Sequence, residues 1–383
     1  MNNLKQHFLL DPEITFLNHG SFGATPRPVF AAYQRWQREL ERQPVQFIGY
    51  QLPELLATAR QALGEYLHCS ADNLVYIPNA TFGVNVVANS LDLGPGDEVL
   101  TTNHEYGACD NVWNFLSQQR GFTYKPAILP YPITSSEDIV EAIWQEVTPN
   151  TKMIFLSHIT SATALRLPVE AICARAKEAG ILTLVDGAHA PGQIPLNLVE
   201  IGADFYTGNC HKWLCAPKGA AFLYTHPERQ HLIRPLVVGW GWGKDRTFTY
   251  GSDYLDYLQF LGTDDLASYF AVPDAIQFQA EHNWTAVQAA CHELAKEACL
   301  RISDLTGLDP IYPLTQEFFQ QLVLNPLPDV DVLDFKNRLW NEFSVEIPVY
   351  EWNGRCYIRT SIQGYNDETD VNNLLNALKK VLR

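Results

Sequence analysis

Runs of unbroken apolar residues alternate with helical stretches through the first two-thirds of the chain, and this alternation constrains the fold more than any other feature. "NLVYIPNATFGVNVVANSL" reads strand, loop, helix, and "GDEVLTTNHEYGACDNVWNFLSQQRG" repeats the order. "TKMIFLSHIT", a helix over 169–179 and "GILTLVDGAHAPG" continue it, and "ADFYTGNCHKWL" with "GAAFLYTH" adds two strands around a loop. A strand that is apolar throughout is buried on both faces, and strands separated by helices run parallel. The pattern predicts an α/β fold with a mostly parallel sheet between helices. Earlier, Pro26 and Pro28 open a helix over 29–42 with Thr25 as its cap, and a second helix covers 54–67.

The pattern changes near 262–265. Helices are predicted over 266–283 and 285–305. An α+β stretch follows: "QEFFQQLVL", a helix over 331–343, "SVEIPVYEW", "RCYIRTSIQG" and a last helix over 368–382. A chain of 383 residues is too long for one small core. A boundary near 265 divides it into a large domain, 21–264, and a smaller α+β domain, 265–383, onto which residues 1–20 fold back.

Forty-three acidic against 27 basic residues give a net charge of −16, and no Lys/Arg run interrupts the chain. This excludes a broad basic face for nucleic acid. Eight cysteines occur without a CxxC pair, which reads as free thiols in a reducing compartment. "MNNLKQHFLLDPEITFLN" has no long apolar core of a signal peptide, and no apolar run reaches membrane-spanning length. A cytoplasmic protein without a membrane partner is expected.

Ligands of open α/β sheets bind at the carboxyl ends of the strands. Five polar clusters follow the predicted strands: Asn79-Ala80-Thr81, His104-Glu105-Tyr106, His158 with Ser161, Asp186 with His189, and His211-Lys212. They should meet in one crevice. Asp186 and Lys212, at the ends of successive strands, either form an ion pair or address one aromatic cofactor. Pyridoxal phosphate needs such a set: a lysine for a Schiff base and an acid for the pyridinium nitrogen. Ala80 and Thr81 head a helix whose N-terminus suits a phosphate, although Asn79 or Thr81 could equally be an ordinary cap. Tyr106 either stacks on a flat cofactor or fills core. His211 bonds a phosphate or the backbone. A zinc hydrolase built from His104, Glu105, His158, Asp186 and His189 is a competing reading, but no HExxH occurs. A cofactor-free scaffold is another, opposed by the presence of Lys212, Asp186 and Arg359 together. "GWGWGK" lacks both the dinucleotide and the Walker spacing.

"TLVDGAHAPGQIPLNL" followed by "GADFYTGNCHKWLCAPKGAAFLY" resembles fold-type I pyridoxal-phosphate enzymes of the class V aminotransferase superfamily. "FLNHGSFGATP", "TTNHEYGAC" and "SHITSATALRLP" resemble its isopenicillin N epimerase-like branch. The resemblance runs over 13–380. It implies an aspartate aminotransferase-like fold with a seven-stranded sheet, a homodimer with active sites at the interface, pyridoxal 5'-phosphate as cofactor and a small amino acid as substrate. Carried over by position, Lys212 is the Schiff-base lysine and Asp186 the partner of the ring nitrogen. His189 lies by the phenolic oxygen, Tyr106 stacks on the ring, and Ala80 and Thr81 hold the phosphate with Asn209 and His211. Thr263 reaches the neighbouring subunit's phosphate, Arg359 grips the substrate carboxylate, and His19 and Gly20 line the substrate pocket. No metal is implied.

The resemblance leaves several fates for one quinonoid intermediate. Racemisation needs a proton donor on each face: Lys212 on one, and Tyr106, His19 or water on the other. A C–S β-lyase needs only Lys212 and a good leaving group. Transamination needs room for a second keto acid. Persulfide relay, as in cysteine desulfurases, is disfavoured: the stretch before Arg359 lacks their arginine-x-glycine-x-x-cysteine motif, and Cys356 sits inside a predicted strand as core.

Overall fold

The computed structural model describes residues 4–382. A two-residue strand, β1 (Thr15–Phe16), precedes the main sheet. That sheet contains β2 (Leu74–Ile77), β3 (Glu98–Thr102), β4 (Thr123–Ala127), β5 (Thr151–Ser157), β6 (Leu182–Asp186), β7 (Phe205–Asn209) and β8 (Ala221–Thr225). Its order is β2-β8-β7-β6-β5-β3-β4, with β8 antiparallel to both its neighbours and the remaining pairs parallel.

Period-two burial explains why the strands read as unbroken apolar runs. Val75, Ile77, Val99, Met153, Phe155, Leu184 and Phe205 pack into one core. Their neighbours Leu74, Tyr76, Leu100, Ile154, Leu156, Val185 and Tyr206 pack into the other. Both faces of the sheet are therefore covered, as helical crossovers require.

The seventh strand, β4, has no apolar run. It lies at the sheet edge, is largely open to solvent and contains Pro126, a residue that edge strands tolerate. The helix predicted over 266–283 is broken at Ala271 into Ala267–Phe270 and Val272–Glu281, with Pro273 in the first turn of the second piece. The predicted strand "SVEIPVYEW" is split around Pro348 into β10 (Val345–Glu346) and β11 (Val349–Trp352).

A second sheet has the order β11-β12-β9, with β9 at Leu322–Pro326 and β12 at Arg355–Ser361, all antiparallel. The N-terminal segment is stitched to it. β1 pairs in parallel with β10, the Leu17 carbonyl accepts from the Ser361 N–H at 3.0 Å, and the Leu4 N–H donates to the Gly364 carbonyl at 3.0 Å. The segment then turns under the β7–β8 loop. Gly23 has φ +71, and a Cβ there would lie 2.0 Å from the His211 carbonyl oxygen. Only glycine lets the chain pass that close.

Among the described residues no helix is long and apolar enough to cross a membrane. All eight cysteines are free thiols.

Candidate active site

The carboxyl ends of β2, β3, β5, β6 and β7 open onto one cleft of about 580 Å³, lined among others by Ala80, Thr81, Tyr106, Asp186, His189, Asn209, His211 and Lys212. All five sequence clusters reach its wall. The third strand end, after β5, contributes Ser157, Ile159 and Ser161, while His158 turns away to bond the Tyr206 hydroxyl at 3.0 Å.

Lys212 lies on the loop from β7 to β8 and is half-buried at the cleft wall. Its Nζ is 3.1 Å from His189 Nε2. The Trp213 indole N–H donates to the other ring nitrogen, His189 Nδ1, at 3.2 Å. An imidazole that accepts at Nδ1 carries its proton on Nε2. His189 therefore donates to Lys212 once the amine is neutral. Burial acts in the same direction, lowering the Lys212 amine from 10.5 to about 8; nearby Arg359 lowers it further, whereas Asp186 opposes the shift. His189 is held well below its ordinary value, first by burial and then by Lys212, Arg359 and His19.

This shift links pH to stability. The unfolded lysine keeps its proton up to about 10.5, the folded one only to about 8. Between those values unfolding takes up a proton, so stability rises with pH; below 8 both states are protonated and the burial cost is present in full. In the cofactor-free protein, Lys212→Met should be more stable than wild type by at most about 3 kcal/mol at pH 7, since water in the cleft screens the charge. The difference should vanish above pH 10.5 in denaturant titrations.

Asp186 ends β6 and is buried. One carboxylate oxygen accepts from the Ala188 N–H at 2.9 Å, and the other from the Cys109 thiol at 3.5 Å. Burial raises its proton affinity, while the Ala188 bond and Lys212 lower it. The helix Ala80–Ser90 begins at the cleft, capped by Asn79, whose side-chain oxygen accepts from the Phe82 N–H at 2.9 Å. The Asn209 side-chain oxygen accepts from the Ala80 N–H at 2.9 Å, so Asn209 fixes the helix start. His211 bonds the Ala220 carbonyl through Nδ1 at 3.0 Å, and burial pushes the ring down to about 4. Tyr106 caps the helix Gly107–Arg120 and is half exposed at the cleft mouth.

Three expected residues lie elsewhere. His19 and Gly20 do not line the cleft; Ser21 and Phe22, one step on, do. His19 is fully buried, with Nδ1 2.9 Å from the Tyr365 hydroxyl and Nε2 3.0 Å from the Lys212 carbonyl, so both ring nitrogens are engaged behind the cleft wall. Gly20 is packed so closely that a Cβ would meet Leu322 at 3.0 Å and Ser361 at 3.1 Å. Thr263 is exposed in the 259–266 connection and is not on the cleft wall.

Arg359, on β12, stands just behind Ser21 and Ser161, donating to both side-chain hydroxyls. Its Nε is buried with no partner among the described residues. A buried, unpaired guanidinium N–H is costly.

Sequence reading attached no site role to Cys109 or Ser21, and treated Trp213 only as drying the surroundings of Lys212. Glu105 is buried and accepts from Thr102 at 2.6 Å and from the Ser157 N–H and hydroxyl, at 2.8 and 2.6 Å, tying the ends of β3 and β5 together. Burial pushes its carboxyl up to about 8. His104 bonds Thr163 at 2.7 Å. Because Glu105, His104 and His158 each face different partners, no zinc set assembles; among the described residues no trio of His, Cys, Asp and Glu is placed to hold a metal.

A family model described as Aminotransferase class-V matches residues 23–374. The isopenicillin N epimerase of Amycolatopsis lactamdurans is 36% identical over 99% of this chain and 98% of its own. The hercynylcysteine sulfoxide lyase of Schizosaccharomyces pombe is 25% identical over 99% of this chain and 97% of its own. Among solved structures, the cystine C–S lyase C-DES in complex with its reaction product cysteine persulfide superposes with a TM-score of 0.83, at 23% identity, over 96% of this chain and 98% of the other, which speaks for the shared fold. An amine and a carboxylate facing one cleft at the strand ends, beside a helix N-terminus, define an α/β enzyme built around an anionic aromatic cofactor. The chain belongs to the class V aminotransferase family, and its cofactor is pyridoxal 5'-phosphate.

Proposed function

We propose that this chain moves the Cα proton of an amino acid, in the manner of the isopenicillin N epimerases it is similar to, with Lys212 as the base. The observation that carries this reading is the Lys212 amine, eased toward its neutral form by burial and paired with His189 on the wall that Asp186 shares.

The residues present fit the cofactor: an amine, a buried carboxylate and a helix N-terminus converge on one cleft, with Arg359 just behind its wall at Ser21 and Ser161. When bound, pyridoxal phosphate supplies an aldehyde for the amine and a protonated ring that withdraws electrons from Cα. Asp186 holds the proton at the ring nitrogen. The N–H groups and dipole of the helix Ala80–Ser90 hold the phosphate at Ala80 and Thr81. Asn209 positions that helix, and His211, whose Nδ1–H is spent on the Ala220 carbonyl, reaches the same anion as a donor only when protonated. His189 directs its Nε2–H at the phenolic oxygen, and Tyr106 covers one face of the ring. Arg359 takes the substrate carboxylate through its unpartnered Nε.

Lys212 takes the Cα proton on one face and returns it. Epimerisation needs a donor opposite. Tyr106 is the one phenol on the cleft wall, and His19, engaged behind it, is not placed for the task. His19 and Gly20 therefore act on the substrate pocket from behind Ser21. Thr263, exposed away from its own cleft, reaches the phosphate of a second subunit. The exposed Val238, Trp240 and Trp242 favour such a homodimer, because apolar clusters of this kind mark interfaces. The large domain, 21–264, then carries the cofactor, and the smaller one, 265–383 with 1–20, carries Arg359; residues 1–3 and 383 of that division lie outside the described residues. Eight free thiols favour a cytoplasmic home.

A second reading, β-elimination at a carbon–sulfur bond, is favoured by the hercynylcysteine sulfoxide lyase relative. One experiment separates the two. The holoenzyme is given amino acids, cystine and cysteine sulfoxides in deuterated water. Deuterium at Cα with D-isomer and without pyruvate supports epimerisation; pyruvate with sulfur release supports elimination and overturns it.

A further inference from the structure

We infer that Trp213 sets the tautomer of His189, and through it the proton that His189 offers to Lys212 and to the cofactor oxygen; this rests on the proposed place of His189 beside that oxygen. The geometry comes from two hydrogen bonds on one imidazole. The Trp213 indole is donor-only, so the ring nitrogen facing it, His189 Nδ1 at 3.2 Å, must be an acceptor. A neutral imidazole has one proton, which then lies on Nε2, 3.1 Å from Lys212 Nζ. Both side chains are rigidly held. Trp213 is fully buried with its ring tilted against His19 at a centroid distance of 4.9 Å, and the Trp213 carbonyl accepts from Gln279 at 2.9 Å. The His189 carbonyl accepts from Gln193 at 2.7 Å. Neither ring can turn to exchange its nitrogens without leaving a buried polar atom unpaired.

The surroundings offer the imidazole no second source of this order. The charged and titratable groups facing it are Lys212, Arg359 and His19. Two are cationic or cation-forming, and His19 spends both nitrogens on Tyr365 and the Lys212 carbonyl. None fixes which imidazole nitrogen holds the proton; only the indole N–H does. A protonated His189 would have to point an N–H at the indole N–H, so Trp213 also keeps the ring neutral. Trp213 is thus a positioning residue that acts through His189 without touching the reacting atoms.

The test uses two readouts. In cofactor-free protein labelled with ¹⁵N-histidine, the wild-type His189 should show the Nε2–H tautomer near pH 9, where the Lys212 amine is neutral. Trp213→Phe should populate the Nδ1–H tautomer. Replacing Trp213 with benzothienylalanine, which keeps the shape but lacks the N–H, should do the same if the phenylalanine variant does not fold. In holoenzyme, the pH midpoint of the cofactor's visible absorbance should move by at least about tenfold in proton concentration in either variant. In a His189→Gln background, whose amide donates without tautomers, adding Trp213→Phe should leave that midpoint in place. A wild-type Nδ1–H tautomer would overturn the inference, as would an equal midpoint shift in the His189→Gln background, which would mean that Trp213 matters only as packing. The proposed function fails on a different observation, the absence of amino-acid turnover by wild-type holoenzyme, so the two are distinguishable.

Discussion

Lys212→Ala should lose about four orders of magnitude in kcat, the largest effect of any single substitution in this protein. The residue combines the covalent attachment point and the base at Cα, and nothing on the cleft wall replaces it: His189 and His211 are neutral imidazoles spent on other partners. The variant should fold, since removing the amine relieves a desolvation cost, and the His189 Nε2 it leaves lies on the cleft wall, where water can take the amine's place. Borohydride should then fail to fix cofactor to the protein. Turnover at the wild-type rate, measured with saturating cofactor, would overturn the whole account of the site.

Asp186→Asn should lower kcat by roughly 10²- to 10³-fold, the effect of removing one preorganised charge from a water-poor site. Asparagine can still accept from the Ala188 N–H and meet the Cys109 thiol, so the end of β6 should keep its shape. What it cannot do is balance a positive ring nitrogen. The neutral amide leaves the ring unprotonated, and the electrons released at Cα have nowhere favourable to go. Cofactor binding should persist, because the phosphate is held at Ala80 and Thr81 by groups the substitution does not touch. A fall in kcat together with retained visible absorbance separates this loss from simple cofactor dissociation.

Six of the seven main strands could be read in the sequence because each is covered on both faces: "MIFL" has no polar position, and "ILTLV" only Thr183, which is buried. The seventh, β4, could not, because an edge strand with Pro126 and only Ala127 fully buried has no apolar run to announce it. Lys212 and Asp186 stood out because charges at the ends of apolar runs are costly without a purpose. The direction of β8 was not legible, since an apolar run looks the same read either way. Nor was the displacement of His19 and Gly20 from the cleft: the short helix His19–Phe22 turns consecutive residues to different sides, and no pattern of four residues reveals which side faces the cavity. The contact between Trp213 and His189 joins residues from different loops, so adjacency in the sequence said nothing of it.

The reversal at β8 bears on how the enzyme spends its motions. Because β8 returns directly beside β7, with Asn209 paired to Ala221, the loop carrying Lys212 is pinned at both feet to the same sheet. In an all-parallel arrangement the chain would leave β7 for a distant helix, tethered at one end only. Here the backbone under the amine has little slack, and its travel between cofactor and substrate reduces to rotation about a few side-chain bonds. Such hops are complete in nanoseconds, far faster than turnover. Catalytic pacing should therefore come from chemistry or product escape, not from the swing of the lysine.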